Sequence, residues 1–291
     1  LTPEERMLLQ NTYNGFIRSG ANLAPDQKER FRQISAELSV LTLKFSQNNL
    51  KETNRYELLL TPEQTDGLPQ SALDAYAQAA KEKNQEGYLV TLHAPSFVPF
   101  MKYSTNRELR RQIWTAYNSR AIGGENDNTD VVKKIVDLRI KIANILGYET
   151  YADYALETRM AKNKTTVNEF VKNLLEPSMK YAKKDVADVL AYAKKNGFED
   201  DKLMPWDFSY WSERYQEAEY SLNAEELKPY FRLESCIDAV FDLANRLYGL
   251  EFTELDNVPV YHEDVKVYEV KDADGRHMAL FYADFFPRAS K

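Results

Sequence analysis

The segment that most constrains this chain is its last, residues 260–291: VYHEDVKVYEVKDADGRHMALFYADFFPRASK. Val265, Val267 and Glu269-Val270 form a run of β-type residues. Asp272-Ala273-Asp274-Gly275 is a turn signal, and Met278 to Phe286 is a second apolar run. Two such runs around a glycine-containing loop predict a β-hairpin. An apolar strand needs cover, yet only Pro287-Arg288-Ala289-Ser290-Lys291 follows it. A strand over 278–286 is therefore expected to be paired on its outer side by another molecule or to be poorly packed. The chain starts at Leu1 and reads as cut at both ends.

The rest of the sequence is helical in character. Glycine is scarce, 10 of 291 residues, against a typical ~7 %, which favours long helices and few tight turns. Tyrosine (19) and phenylalanine (14) are plentiful and suit helix-on-helix packing with polar tips reaching outward. Thr2-Pro3-Glu4-Glu5 starts a helix whose apolar face is Leu8, Leu9, Tyr13, Phe16 and Ile17, and Gly20 stops it. Pro25-Asp26 opens a second, with a seam of Phe31, Ile34, Leu38, Leu41 and Phe45 at three- and four-residue steps. The two are expected to form an antiparallel pair.

Tyr56 to Leu60 and Tyr88 to His93 are strand candidates; Thr61-Pro62-Glu63 and Ser71 to Lys83 read as helical, and Pro95 to Pro99 as extended or edge structure. Thr105-Asn106 caps a helix carrying Leu109, Ile113, Trp114 and Tyr117. Gly123 to Asn128 is a loop, either a hinge or plain surface. A helix from Thr129 places Val132, Ile135, Leu138, Ile142 and Ile145 on one stripe, closed by Gly147. A short helix follows from Thr150, then a long pattern over 165–196 kinked at Pro177. The aromatic stretch 203–215 is irregular, and helices are expected over 223–230 and 233–248. This organisation gives a mainly α fold with a small β component. Its parts are an N-terminal helical region with short strands over 1–122, a helical region over 129–257, and the hairpin over 258–291.

The residues carry little chemistry. Net charge is −7 with both signs interleaved, so no basic stripe points to nucleic acid. No apolar run approaches a membrane span. The three histidines are His93, His262 and His277, and no two lie within five residues. His262-Glu263 begins a metal-binding dipeptide, but position 266 is Lys. His262 and His277 could face each other across the hairpin. Cys236, in a helical pattern, is expected as a small core residue rather than a nucleophile. Asp207 and Asp284 are expected to be structurally committed, with Arg288 a partner for Asp284. Trp114, Trp206 and Tyr230 are expected in the core rather than at a substrate.

Five segments together resemble a known family: NRELRRQIWTAYNSRA (106–121), LGYETYADYALETRMAK (146–162), MPWDFSYWSERY (204–215), LKPYFRLESCIDAVFDLANRLYGLEF (227–252) and the stretch from Val258 to Lys291. They resemble the zinc metallopeptidases that include thimet oligopeptidase, oligopeptidase A and peptidyl-dipeptidase, in the family's order, with the peptidyl-dipeptidase branch nearest. The resemblance implies a zincin-type oligopeptidase in which a zinc-bound water, with a motif glutamate as base, attacks a peptide carbonyl inside a deep helical channel. It also implies that the HExxH helix and the remaining catalytic groups lie after the FYADFFPRASK segment. No catalytic or metal-ligating residue of this chain matches the family pattern, and its substrate-binding residues are not assigned. The chain is thus expected to be the upstream, non-catalytic portion, inactive alone and without zinc of its own, with short peptides as substrates of the whole enzyme. The alternative is a stand-alone helical peptide-binding or scaffold module. The compartment is expected to be cytoplasmic, or periplasmic if a signal peptide has been removed.

Overall fold

The computed structural model describes residues 1–290, and they are mainly helical with two small sheets. The chain separates into two compact units, Leu1–Glu213 and Arg214–Lys291.

The first unit opens with α1 (Pro3–Arg18). Thr2 Oγ1 accepts from the Glu5 amide while the Glu5 carboxylate accepts from the Thr2 amide, so two otherwise orphaned donors are satisfied at once. The seam of α2 (Pro25–Arg55) does not pair with α1. It packs on α6 (Thr129–Ile145), where Ile34, Leu138 and Ile142 are buried among Phe31, Leu38, Leu41 and Ile145. A buried amide pair fixes that choice: Asn48 Nδ2 donates to Asn128 Oδ1 at 2.9 Å and Asn128 Nδ2 to the Phe45 carbonyl at 3.0 Å. Leu8, Leu9, Tyr13 and Phe16 of α1 are consequently left exposed. Within the α6 stripe Val131 is buried and Val132 is not.

A two-stranded antiparallel sheet joins β1 (Leu58–Leu60) and β2 (Tyr88–Val90), with Leu58 opposite Val90. Between them Thr61 starts only a single 3-10 turn, Pro62–Gln64, before α3 (Gln70–Glu82). The prolines at 95 and 99 lie in a helix, α4 (Ala94–Tyr103), not in an extended edge. Pro95 falls in the first turn, where its missing N–H costs nothing, and Pro99 forgoes one bond. What holds α4 helical is burial of Phe100 and Met101. α5 (Arg107–Asn118) begins at Asn106, whose side chain accepts from the Leu109 amide at 3.1 Å. The core is Leu60, Leu68, Ala72, Tyr76, Val90, Leu92, Phe100, Met101 and Ile113, with the half-buried Trp114 and Trp206 against it.

After Gly147 (φ 86°) come α7 (Tyr151–Leu156) and α8 (Lys164–Lys195), which runs on through Pro177. The aromatic stretch near 203–215 is not irregular: α9 (Pro205–Tyr220) starts inside it. Pro205 opens the helix and the Asp207 carboxylate turns back to accept from the Met204 amide at 3.1 Å.

In the second unit α10 (Ala224–Leu227) and a 3-10 turn (Lys228–Tyr230) precede α11 (Leu233–Tyr248), capped by Gly249 in the left-handed region. Tyr230, expected in the core, is 79 % exposed. The hairpin is present as β4 (Lys266–Lys271) and β5 (His277–Ala283), and β3 (Glu251–Leu255), within the stretch expected to be helical, makes a third strand. The order is β3-β4-β5, antiparallel throughout. Phe241 of α11 stacks on Phe252 at 4.1 Å and meets Tyr268 edge-on at 4.9 Å. β5 is the outer strand, and Met278, Leu280, Phe281 and Tyr282 are all exposed, as expected of an uncovered edge.

Candidate functional site

The densest charge constellation lies between α5 and α9, within the first unit. Arg107 sits in the first turn of α5, and Arg110 lies one turn further along. Asp207 is fully buried and Arg110 is 2 % exposed. Arg107 grips Asp207 with two bonds, Nε to Oδ1 at 2.9 Å and Nη2 to Oδ2 at 2.7 Å, and reaches Asp200 at 2.6 Å. Arg110 Nη2 meets Asp207 Oδ1 at 3.3 Å, while its other donors reach the Trp206 and Ser104 carbonyls at 3.0 and 2.7 Å. The Arg110 guanidinium also lies over Tyr210, 4.1 Å from the ring centre.

These contacts explain how two buried charges survive. Hydrogen bonding to Asp207 raises the Arg107 pKa above its ordinary value. Burial pushes Arg110 down, and Asp207 works against that push. The cluster is closed in charge, two arginines against two aspartates, and its ligands are its own members. It joins segments a hundred residues apart and sets Trp206 edge-on to Trp114, ring centres 5.7 Å apart. Asp207 is thus committed to structure, as its place after Trp206 suggested.

Two open clefts flank Arg107. One, about 570 Å³, is lined by Arg107, Glu108, Arg111, Asp200, Met204 and Trp206. The other, about 310 Å³, lies among Arg110, Phe198, Tyr210 and Trp211. Mixed charge over an aromatic floor suits a polar, zwitterionic ligand rather than a purely anionic one. Sequence reasoning did not find this cluster, because Arg107 and Asp207 meet only through the packing of α5 on α9.

The remaining candidates stay apart. His93 Nε2 lies 2.9 Å from Asn54 Oδ1 in the first unit. In the second, His262 Nδ1 accepts from the Asp264 amide at 3.2 Å, and His277 Nδ1 lies 3.1 Å from Glu269. The hairpin thus gives each of these two histidines an acidic neighbour, not the other histidine. Cys236 is half-buried on α11 rather than in the core. Asp284 falls just past the end of β5, where Arg288 Nη1 reaches it at 2.9 Å and the Tyr261 hydroxyl donates to it at 2.9 Å. Among the described residues no three His, Cys, Asp or Glu side chains gather in a way that could hold a metal ion, and no helix is long and apolar enough to cross a membrane.

Comparison with known proteins decides the family. Residues 100–291 match the profile of Peptidase family M3. The chain belongs to that family. Along its whole length it is 39 % identical to "Probable cytosolic oligopeptidase A" of Arabidopsis thaliana, covering 43 % of that protein. It is 35 % identical to oligopeptidase A of Escherichia coli, covering 44 %, and 30 % identical to dipeptidyl carboxypeptidase of the same bacterium, covering 43 %. The chain therefore spans less than half the length of these relatives. The identities run higher to oligopeptidase A than to dipeptidyl carboxypeptidase, the reverse of the branch the sequence segments suggested.

Proposed function

We propose that this chain is the upstream, non-catalytic portion of a zinc metallopeptidase that hydrolyses short peptides, and that it is inactive by itself. One observation carries the reading: a family M3 chain whose three histidines each sit with a different partner, in the absence of any HExxH in the 291 residues. A catalytic zinc needs three protein ligands converging on one ion. The residues here do not fit that demand, so no step of the chemistry is assigned to them. The helical regions 1–122 and 129–257 would wall the substrate channel, and 258–291 would lead into the catalytic domain. Short peptides are the substrates of the whole enzyme, with release of C-terminal dipeptides as the finer reading. The compartment follows the cytosolic relative, or is periplasmic if a signal peptide is removed.

The test is to incubate the purified chain with zinc, remove the excess, and measure bound metal together with cleavage of internally quenched short peptides. Substoichiometric zinc and no cleavage are expected; chelator-sensitive turnover would overturn the proposal. A stand-alone peptide-binding module is the second reading, favoured by the mixed-charge cleft beside Arg107. Calorimetric binding of short peptides to the chain, lost on Arg111→Glu, would support it.

A further inference from the structure

Three elements of the first unit meet at the far end of α2. Thr53, which is buried, and Asn54 come from α2 itself, His93 from the N-cap position of α4, and Arg120 from the turn after α5. His93 Nε2 lies 2.9 Å from Asn54 Oδ1. Arg120 Nη1 donates to Thr53 Oγ1 at 2.9 Å and Nε to the Tyr117 carbonyl at 2.8 Å. Its guanidinium lies 3.8 Å from the centre of the Tyr117 ring, which stacks on Phe97 of α4 at 4.2 Å. Beyond Arg120 the loop is fastened to α2 twice more. Asn126 Nδ2 donates to Glu52 Oε1 at 2.7 Å, and Asn48 Nδ2 donates to Asn128 Oδ1 at 2.9 Å. Between these points Ala121, Gly123 and Gly124 all have positive φ.

His93 stands where a second positive charge is disfavoured. Its carbonyl accepts the Ser96 and Phe97 amides, so the ring sits at the positive end of the α4 dipole. The ring is half-buried, and Arg120 acts on it as a like charge. Asn54, its partner on α2, is neutral and holds the ring without balancing a proton. Glu52, one turn back on α2, is engaged by Arg55 and Asn126. From α3 the ionisable group is the Tyr76 hydroxyl, which donates to the Ser96 carbonyl at 2.8 Å. Burial raises the pKa of that phenol, so it stays neutral wherever His93 titrates.

We propose that His93 and Arg120 form a proton-operated latch: when His93 takes up a proton, Arg120 is driven off Thr53 and the loop that follows it lifts from α2. Arg120 is the group that yields. His93 follows the buried Leu92 and leads into α4, which is anchored by Phe100 and Met101. Arg120 lies past the last residue of α5 and just before the glycines. The Asn128 end of the loop stays in place, because its amide pair with Asn48 is buried and uncharged. The latch lies wholly within the first unit and is independent of the peptidase reading above.

The experiment uses the full chain and follows amide hydrogen exchange of residues 118–128 between pH 7.5 and 5.5. Wild type is compared with His93→Gln at each pH, so that intrinsic exchange rates cancel. The wild-type to variant ratio should rise several-fold as pH falls, up to about tenfold per pH unit for one proton. Amides of α3 and α4 should show no such rise. Arg120→Gln removes the opposing charge and should abolish the acid response, while Arg120→Lys, which keeps the charge, should retain it. By nuclear magnetic resonance the His93 ring, assigned with His93→Gln, should titrate at higher pH in Arg120→Gln than in wild type. Should His93→Gln fail to fold, the two Arg120 variants, compared with wild type at equal pH, carry the test. A ratio that is flat with pH, or an acid response that Arg120→Gln leaves unchanged, would overturn the proposal. So would α3 and α4 opening in step with 118–128, which would mean general unfolding and no latch.

Discussion

Asp207 shows what a single buried charge can do. Its carboxylate takes two bonds from Arg107, one from Arg110 and one from the Met204 amide, so it caps α9 and ties it to α5 at once. Removing it leaves the almost wholly buried Arg110 guanidinium without its carboxylate and Arg107 with Asp200 alone. Asp207→Ala should destabilise the first unit by about 3–5 kcal/mol, the range for breaking a buried pair from one side. Arg107→Ala should cost clearly less, since Arg107 is 42 % exposed and Arg110 would still neutralise Asp207. Urea midpoints followed by tryptophan fluorescence check both, and equal losses would show that Arg110 does not compensate. A second residue reports on pH. Burial lowers the His93 pKa, and the nearby Arg120 guanidinium lowers it further. The folded state therefore binds this proton less readily than the unfolded chain does. The contribution of His93 to stability is complete above the ordinary value of about 6.5 and is lost as pH falls through and below it. His93→Gln should flatten the fall in unfolding midpoint between about pH 7.5 and 5.5; an unchanged slope would assign the pH dependence elsewhere.

At the scale of elements, close approaches matter as much as faces. Gly67 has φ +81°, and a Cβ there would lie 2.4 Å from the Tyr103 carbonyl oxygen and 2.9 Å from Thr105 Cγ2. The same junction is held by the Thr105 amide on the Asp66 carbonyl at 3.1 Å and the Thr105 hydroxyl on the Asp66 carboxylate at 2.6 Å. The obstacle to a side chain is backbone and cannot swing away. Gly67→Ala should cost about 2 kcal/mol or more, the left-handed penalty plus the clash; a thermal shift near zero would show that the loop relaxes freely. Such junctions were not legible in the sequence, whereas the helices largely were, since apolar spacing fixes a face and capping residues fix an end. Thr2, Asn106 and Thr150 each start the helix their chemistry announced. Spacing does not name the partner of a face, so α2 was matched to its neighbour α1 when the Asn48–Asn128 pair sends it to α6. Local propensity also misled at Pro95 to Pro99, where burial of Phe100 overrides the prolines. β3 was missed because five residues after a helix cap carry too short an alternation. Of the candidate site, Asp207 and the Asp284–Arg288 pair were legible, while the Arg107 and Arg110 contacts were not, because they depend on packing between distant segments.

For the whole molecule the two units differ in how much they bury. The first unit has a continuous core from Leu60 to Ile113 and a second one between α2 and α6. In the second unit the buried apolar side chains belong to Val265, the sheet residues Val267, Tyr268 and Val270, and Ala283, while α11 has no buried residue. Val240, Leu243 and Leu247, at helical spacing along α11, are each more than half exposed. Small units with little buried surface are marginal in stability. The second unit should therefore open at lower denaturant than the first, and the chain should not unfold in one step. The tryptophans allow a clean reading, because all three, Trp114, Trp206 and Trp211, lie in the first unit. Far-ultraviolet circular dichroism sees helices of both units, whereas tryptophan fluorescence sees the first. The dichroism signal should begin to fall before the fluorescence does. Hydrogen exchange should find α11 and β5 opening ahead of α3, α4 and α5, because exchange in a less protected unit follows its own opening free energy. Coincident transitions by both probes would mean that the two units share one cooperative core, and the stability of the second would then have to come from the first.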